Sequence, residues 1–351
     1  VTIHEIPTPA LLVDLDGMEA NLERMAAFFR TAPAKLRPHY KNHKCPELAQ
    51  RQLDAGAIGL TCATLSEAEC LVEQGVRQIL LANEIVDPIK MLRSVELARQ
   101  ADIIFCVDDE RVADDFARAG RNGQTPISVL VDVDIGQHRC GVPPGDPTVL
   151  LVRKVLATGL RFRGLMGYGG HLSHQLPGPE KADAVAAALR PLMETIARLE
   201  GEGFAVEIVS GGATGTYSLT GRDPGLTEVQ AGSYLLMDTN YRECCTDFDL
   251  TLTVLSTVIS KTGREYVIVD AGVKTLSSER GIPLVKGPGG LTLRKLNAEH
   301  GIIELGDDAP PISIGDRIEI WVRYSDATVN LHDRMYGVRN GTVEKIFQLC
   351  G

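Results

Sequence analysis

Between about residue 36 and residue 235, short apolar runs alternate with stretches whose apolar residues recur every three or four positions. The runs are LRPHYK (36–41), IGLTCAT (58–64), QILLAN (78–83), DIIFCVD (102–108), ISVLVDVD (127–134), FRGLMGY (162–168), VEIVSGG (206–212) and LTEVQAGSY (226–234). Each has the length of a buried strand. The helical stretches include MEANLERMAAFFR, with Asp16 as its expected N-cap, LSEAECLVEQG, and KADAVAAALRPLMETIARLEGEG. Strand–helix alternation predicts parallel strands joined by crossover helices. Eight strands favour a closed (β/α)8 TIM-type barrel over an open doubly wound sheet.

After residue 245 the texture changes. DLTLTVLSTVISKT, EYVIVDAG, GIIEL, DRIEIWVRY, MYGVR and TVEKIFQL are β-rich, and Asn340-Gly341 in VRNGTVEKI is a hairpin signal. The reading is an α/β chain: a barrel over residues 12–243, and a β-domain formed by residues 1–11 and 244–351.

Composition narrows the function. The chain has 351 residues and a net charge of −10, from 36 basic and 46 acidic side chains. That balance argues against nucleic acid or an anionic membrane as the main partner. No apolar run reaches membrane-spanning length, and VTIHEIPTP carries no signal-peptide pattern. The eight cysteines form no CxxC pair and no zinc-like spacing, and most sit in apolar segments as reduced thiols do. A cytoplasmic protein is the simplest expectation.

Against the acidic background LRPHYKNHK stands out, with Arg37, His39, Lys41, His43 and Lys44 within nine residues. The plain reading is a solvated basic loop. In a parallel barrel, however, this run is the first strand and its exit, which puts Lys41 at the mouth where barrel chemistry sits. A lysine among other cations and partly desolvated loses basicity and gains nucleophilicity.

Two further segments support the second reading. IVSGGATGTYS (208–218) follows the seventh strand, where barrels often bind phosphate, and offers Ser210, Gly211, Gly212, Thr214 and Gly215 as a cradle. VDVDIGQHRCGV (131–142) places Arg139 after the fifth strand. A nucleophilic lysine, a phosphate cradle and an arginine in one mouth point to pyridoxal 5'-phosphate.

PTPALLVDLD, LRPHYKNHK, VDVDIGQHRCGV, GYGGHLSH, VSGGATGTY and TVNLHDRMYGV, in this order, resemble the fold-type III pyridoxal phosphate enzymes. Within them the chain is similar to the D-threonine aldolase and D-serine dehydratase family, relatives of alanine racemase. The resemblance spans nearly the whole chain. It implies that Lys41 holds the cofactor as a Schiff base. It implies that Gly211, Gly212 and Thr214 bind the phosphate, with Tyr234 near them, and that Tyr168 faces the pyridine nitrogen. His174 matches the position of the catalytic base of the aldolases, while His171 reads as structural.

The resemblance also implies a divalent metal (Mn, Mg or Zn) held by an HxC or HxD pair. Here Asp326 fits the second ligand and Tyr324 stands where histidine is expected. A neutral phenol is a poor metal ligand, so a weakly held metal and no metal both stay open. Asp270 and Lys274, in VIVDAGVKTLS, read as an ordinary ion pair without a role.

The activity implied is that of a lyase on a D-configured β-hydroxy-α-amino acid, by retro-aldol cleavage to glycine and an aldehyde. The alternatives are a dehydratase of the D-serine or D-hydroxyaspartate type, giving a keto acid and ammonia, and an amino-acid racemase with Tyr324 as a second base. A non-catalytic cofactor-binding protein is disfavoured by the β-domain. Family members are usually dimers, so a homodimer is expected.

Overall fold

The computed structural model describes residues 1–263 and 265–351, and contacts divide the chain into two compact units. One comprises Met25–Lys41, Leu48–Gly232 and Gly351; the other comprises Val1–Arg24, Asn42–Glu47 and Ser233–Cys350. The expected boundaries fell at residues 11 and 243.

The first strand, β1 (Ala10–Asp14), belongs to the β unit. It is followed by helix α1 (Leu15–Thr31), whose start is capped by Asp14 rather than Asp16: the Gly17 N–H donates to Asp14 Oδ1 at 2.8 Å. Asp16 lies inside the first turn, where its charge favours the helix dipole.

The barrel unit carries β2 (Lys35–Leu36), β3 (Leu60–Cys62), β4 (Gln78–Glu84), β5 (Asp102–Val107), β6 (Ser128–Asp132), β7 (Arg161–Gly167), β8 (Ile208–Gly211) and β9 (Glu228–Val229). They run in the order β2-β9-β8-β7-β6-β5-β4-β3, with every pair parallel. The seam between β2 and β3 is closed by a single parallel bridge, His39 to Thr61, with Thr61 N–H donating to the Pro38 carbonyl at 2.9 Å. All eight expected strands are present. The first is shorter than LRPHYK: its regular part ends at Leu36, and Tyr40–Asn42 turns as a 3-10 segment.

Alternation along the strands sorts the core into two parts. Ile79, Leu81, Ile103, Phe105, Val129 and Val131 pack outward with the helices. Leu80, Ile104, Cys106, Leu130, Met166 and Ile208 fill the interior as a separate buried cluster. Such a filled interior is a core, not a channel. Deeper still, Arg37 on the strand exit of β2 pairs with Glu228 of β9.

The β unit contains β10 (Leu252–Ser260), β11 (Tyr266–Val269), β12 (Leu284–Val285), β13 (Leu291–Leu296), β14 (Gly301–Leu305), β15 (Arg317–Trp321), β16 (Arg334–Arg339) and β17 (Thr342–Gln348). β1 joins this sheet between β10 and β16, antiparallel to the first and parallel to the second. The expected hairpin forms: Asn340 and Gly341 both take positive φ (50° and 73°) between β16 and β17. Asp270 and Lys274 are not an ion pair. Asp270 accepts from Thr8 Oγ1 and the Thr257 N–H, while Lys274 pairs with Glu299.

No helix among the described residues is long and apolar enough to cross a membrane. Cys70 and Cys350 are disulfide-bonded, two exceptions to the expectation that most of the cysteines are reduced. Cys45, Cys62, Cys106, Cys140, Cys244 and Cys245 are free. Linear spacing carries no sign of either Cys70 or Cys350 being bonded.

Candidate active site

The C-terminal ends of the barrel strands surround a cavity of about 180 Å³. Lys41 lines it from the exit of β2, with His39, Ala63, Ala82, Asn83, Arg139, Cys140, Met166, Tyr168 and Gln230 around it. The strand ends dictate this composition. Residues at every second position of β4, β7 and β9 point inward, so Ala82, Met166, Tyr168 and Gln230 come to the same mouth.

The basic stretch does not act as one cluster. Arg37 Nε is bound to Glu228 Oε1 at 2.9 Å, with both side chains buried. His43 is fully buried and accepts the Cys45 N–H at its Nδ1. Lys44, at φ +48°, donates to Asn330 Oδ1 at 2.5 Å within the β unit. Of the four candidate neighbours, only His39 shares the cavity with Lys41. The turn after Pro38 explains the split: a 3-10 segment sends successive side chains in different directions, where an extended strand would have aligned alternate ones.

Arg139 stands on a tightly held loop. Val133 and Val142 bridge its two ends, Asp134 N–H to the Val142 carbonyl at 2.9 Å and Val142 N–H to the Asp132 carbonyl at 3.0 Å. Asp134 Oδ1 accepts the N–H groups of Gly136 and His138. Gly141 sits at φ +98°, and a Cβ there would overlap the Val133 and Asp134 backbone. Its N–H donates to Asp108 Oδ2 at 3.0 Å. The Arg139 guanidinium lies 5.4 Å from the centre of the Tyr168 ring, within cation–π range.

The turn after β8 has the close packing of a cradle. Ser210, Gly211, Gly212 and Thr214 are buried. Gly212 has φ +69°, and a Cβ at Gly215 would overlap the Ser173 carbonyl. The turn is tied by Ala213 N–H to Thr216 Oγ1, and Ser210 Oγ accepts from Gln230 Nε2 at 2.8 Å. Gln230 thus links this turn to the cavity wall. Backbone without side chains beside a lysine-bearing cavity fits a phosphate-carrying cofactor such as pyridoxal phosphate.

His174 is exposed on the segment after β7 and is not among the cavity-lining residues. His171 N–H donates to Gln137 Oε1 at 3.0 Å. Tyr234 is fully buried in the β unit, 5.7 Å from the Phe248 ring centre.

Tyr324 and Asp326 flank Ser325 at the start of a short helix, Ser325–Val329. Asp326 Oδ1 accepts from Asn42 Nδ2 at 2.9 Å, and Asp326 Oδ2 faces the Tyr324 hydroxyl at 3.5 Å. Asn42 Nδ2 also reaches Ser325 Oγ, which donates to Asp238 Oδ2 at 2.8 Å. Arg280 lies over the Tyr324 ring. Asp326 belongs to no group of three His, Cys, Asp or Glu donors among the described residues. One carboxylate already accepting an amide hydrogen bond, beside a phenol, does not fit a zinc site, which takes three or four protein ligands. The carboxylate alone suits a hydrated magnesium or manganese ion.

The sequence reading missed an acidic group at the mouth. Glu84 ends β4, Asp108 follows β5 and Asp132 ends β6. The donor atoms of Glu84, Asp108 and Cys140 lie within 4.8 Å of one another. Burial pushes the Asp132 carboxyl up to about 8; Glu84 and Asp108 push the same way, and Arg139 opposes them. Burial, then Glu84, raises the Cys140 thiol to about 11. The signal was present in the strand pattern: a carboxylate occupies the inward register at the ends of three consecutive strands.

Comparison with known proteins gives the family and the fold. Residues 13–240 match the alanine racemase N-terminal domain, and residues 251–338 match the putative serine dehydratase domain. The chain is 37% identical to a D-threonine aldolase of an Arthrobacter species over 352 residues, covering 99% of this chain and 93% of the relative. It is 32% identical to the 3-hydroxy-D-aspartate aldolase of Paracoccus denitrificans, covering 98% and 91%. The crystal structure of D-threonine aldolase from Filomicrobium marinum superposes with a TM-score of 0.96 at 37% identity, covering 99% of this chain and 96% of that one. D-threo-3-hydroxyaspartate dehydratase from a Delftia species superposes at 0.90 with 29% identity, covering 99% and 98%.

Proposed function

Since the chain belongs to the alanine racemase-like family of pyridoxal phosphate-dependent lyases that includes D-threonine aldolase, we propose that it cleaves D-configured β-hydroxy-α-amino acids to glycine and an aldehyde. The observation that carries this reading is the mouth cavity in which Lys41 sits with Arg139 and Tyr168. The D-threonine aldolases, at 37% identity and a TM-score of 0.96, stand ahead of the D-threo-3-hydroxyaspartate dehydratase, at 33% identity in sequence and a TM-score of 0.90, which favours carbon–carbon cleavage over loss of the β-hydroxyl.

Pyridoxal phosphate, when bound, supplies the conjugated ring that takes up the charge developing at Cα. Lys41 would hold the cofactor's aldehyde carbon. Ser210, Gly211, Gly212, Thr214 and Gly215 would receive the phosphate through backbone N–H groups and hydroxyls. Tyr168 would meet the pyridine ring, and a neutral phenol beside its nitrogen would leave that nitrogen unprotonated. Arg139 supplies positive charge at the cavity wall. His174 accepts the proton of the substrate's β-hydroxyl oxygen, and the Cα–Cβ bond breaks as that proton leaves. No step is derived through a metal at Asp326. A homodimer and a cytoplasmic location belong to the same proposal; light scattering checks the first and cell fractionation the second.

The deciding experiment incubates the purified protein with pyridoxal phosphate and D-threonine and identifies the products. Glycine with acetaldehyde is expected. 2-Oxobutanoate with ammonia would replace the proposal by the dehydratase, and D/L interconversion of alanine would replace it by the racemase.

A further inference from the structure

The acidic group at the mouth has no part in the scheme above. Along β4 the inward positions run Leu80, Ala82, Glu84; along β5 and just beyond it, Ile104, Cys106, Asp108; along β6, Ser128, Leu130, Asp132. Three neighbouring strands thus end in a carboxyl directed into the same space. Asp132 is 5% exposed. Glu84 raises both the Asp132 carboxyl and the Cys140 thiol, and the donor atoms of Glu84, Asp108 and Cys140 lie within 4.8 Å of one another. Yet Glu84 Oε1 is buried and, among the described groups, meets no hydrogen-bond donor. Two carboxylates in such contact repel, and neither can donate; one proton between them satisfies the buried acceptor and removes one charge.

We propose that Glu84 and Asp132 share one proton, and that this half-ionised pair, with Asp108, positions Arg139 at the wall of the cofactor cavity. The inference rests on the reading of that cavity as the cofactor site. Asp108 fixes the foot of the Arg139 loop through the Gly141 N–H, and the pair supplies one negative charge beneath the guanidinium. Asp132 is faced by Glu84 from β4, by Asp108 and Cys106 from β5, and by Arg139 from the loop, while Cys140 on that loop faces Glu84 and Asp108. Glu228 faces the same interior from β9 and is neutralised by Arg37. Loss of the shared proton in alkali doubles the pair's charge. Arg139 is then drawn down to the carboxylates and away from the cofactor.

The test uses the wild-type protein, Asp132→Asn and Glu84→Gln. Pyridoxal phosphate affinity, read by quenching of protein fluorescence, is followed from neutral to alkaline pH. Wild type is expected to lose affinity through an alkaline inflection that both variants lack. Infrared difference spectra of the cofactor-free proteins at neutral pH give a second readout. Wild type should show a protonated-carboxyl band that disappears in both variants. An inflection that survives in both variants overturns the proposal, and so does absence of the band from wild type. If wild type binds no pyridoxal phosphate, the proposed function falls, while the infrared band still decides whether the proton is shared.

Discussion

Arg37 Nε donates to Glu228 Oε1 at 2.9 Å, with the two side chains 7% and 2% exposed inside the barrel. The pair joins β2 to β9. Glu228→Ala leaves the guanidinium buried and unpaired, and the expected loss is about 3–5 kcal/mol of unfolding free energy. Urea unfolding measures it. The double variant Arg37→Met, Glu228→Leu should regain most of the loss, since it removes both charges and keeps the volume; a double variant as weak as the single one would contradict the argument.

Lys41 is the cavity's one lysine among the described lining residues. With pyridoxal phosphate bound, borohydride should fix the cofactor's mass to the peptide containing Lys41, and Lys41→Ala should bear no such mass. Attachment at Lys44 instead would show that the wrong lysine of the basic stretch has been chosen.

His174 is exposed, so replacing it leaves the core intact. His174→Asn is expected to lower kcat for D-threonine by roughly 10²–10⁴-fold, the range for loss of a general base, with cofactor affinity unchanged. A variant with wild-type kcat would remove His174 from the scheme.

The Glu84–Asp132 pair also sets a stability slope. Asp132 rises from an ordinary 3.8 to about 8 in the folded chain. Between those values the folded state holds more protons than the unfolded one, so stability is greatest at the acid end and falls as pH rises through the window. Asp132→Asn removes the titrating group and should flatten this part of the Tm–pH curve. Parallel curves for wild type and variant would count against a raised Asp132.

Tyr324 occupies the place where the resemblance leads one to expect a histidine beside Asp326. A neutral phenol binds divalent metals poorly, and an imidazole binds them well. Tyr324→His should therefore raise Mn²⁺ affinity by about tenfold or more, a gain of at least about 1.4 kcal/mol, in a calorimetric titration. Equal affinity in the two proteins would mean that Tyr324 does not limit metal binding.

The barrel was legible because hydrophobic alternation and strand count are local properties, and they place Lys41, Arg139 and Tyr168 at strand exits without further information. What was lost depended on distance in sequence. Nothing near Arg37 announces Glu228, 191 residues away, so a cation that looked available to Lys41 is in fact consumed. The disulfide-bonded state of Cys70 and Cys350 was hidden because neither lies in a spaced cysteine motif. The first strand appeared too long because LRPHYK is apolar enough to read as extended, whereas the chain turns after Pro38. The acidic group was overlooked because each carboxylate lies in a different run; only superposing the inward registers of β4, β5 and β6 brings them together.

The interior cluster of Leu80, Ile104, Cys106, Leu130, Met166 and Ile208 makes the barrel a cup with a greasy floor. The cavity lined by Lys41 and Arg139 opens above this floor. A cofactor seated there stoppers the cup. A seated cofactor is therefore expected to slow proton exchange with the carboxyls at the rim, so the loaded protein should return to equilibrium after a pH jump more slowly than the cofactor-free one.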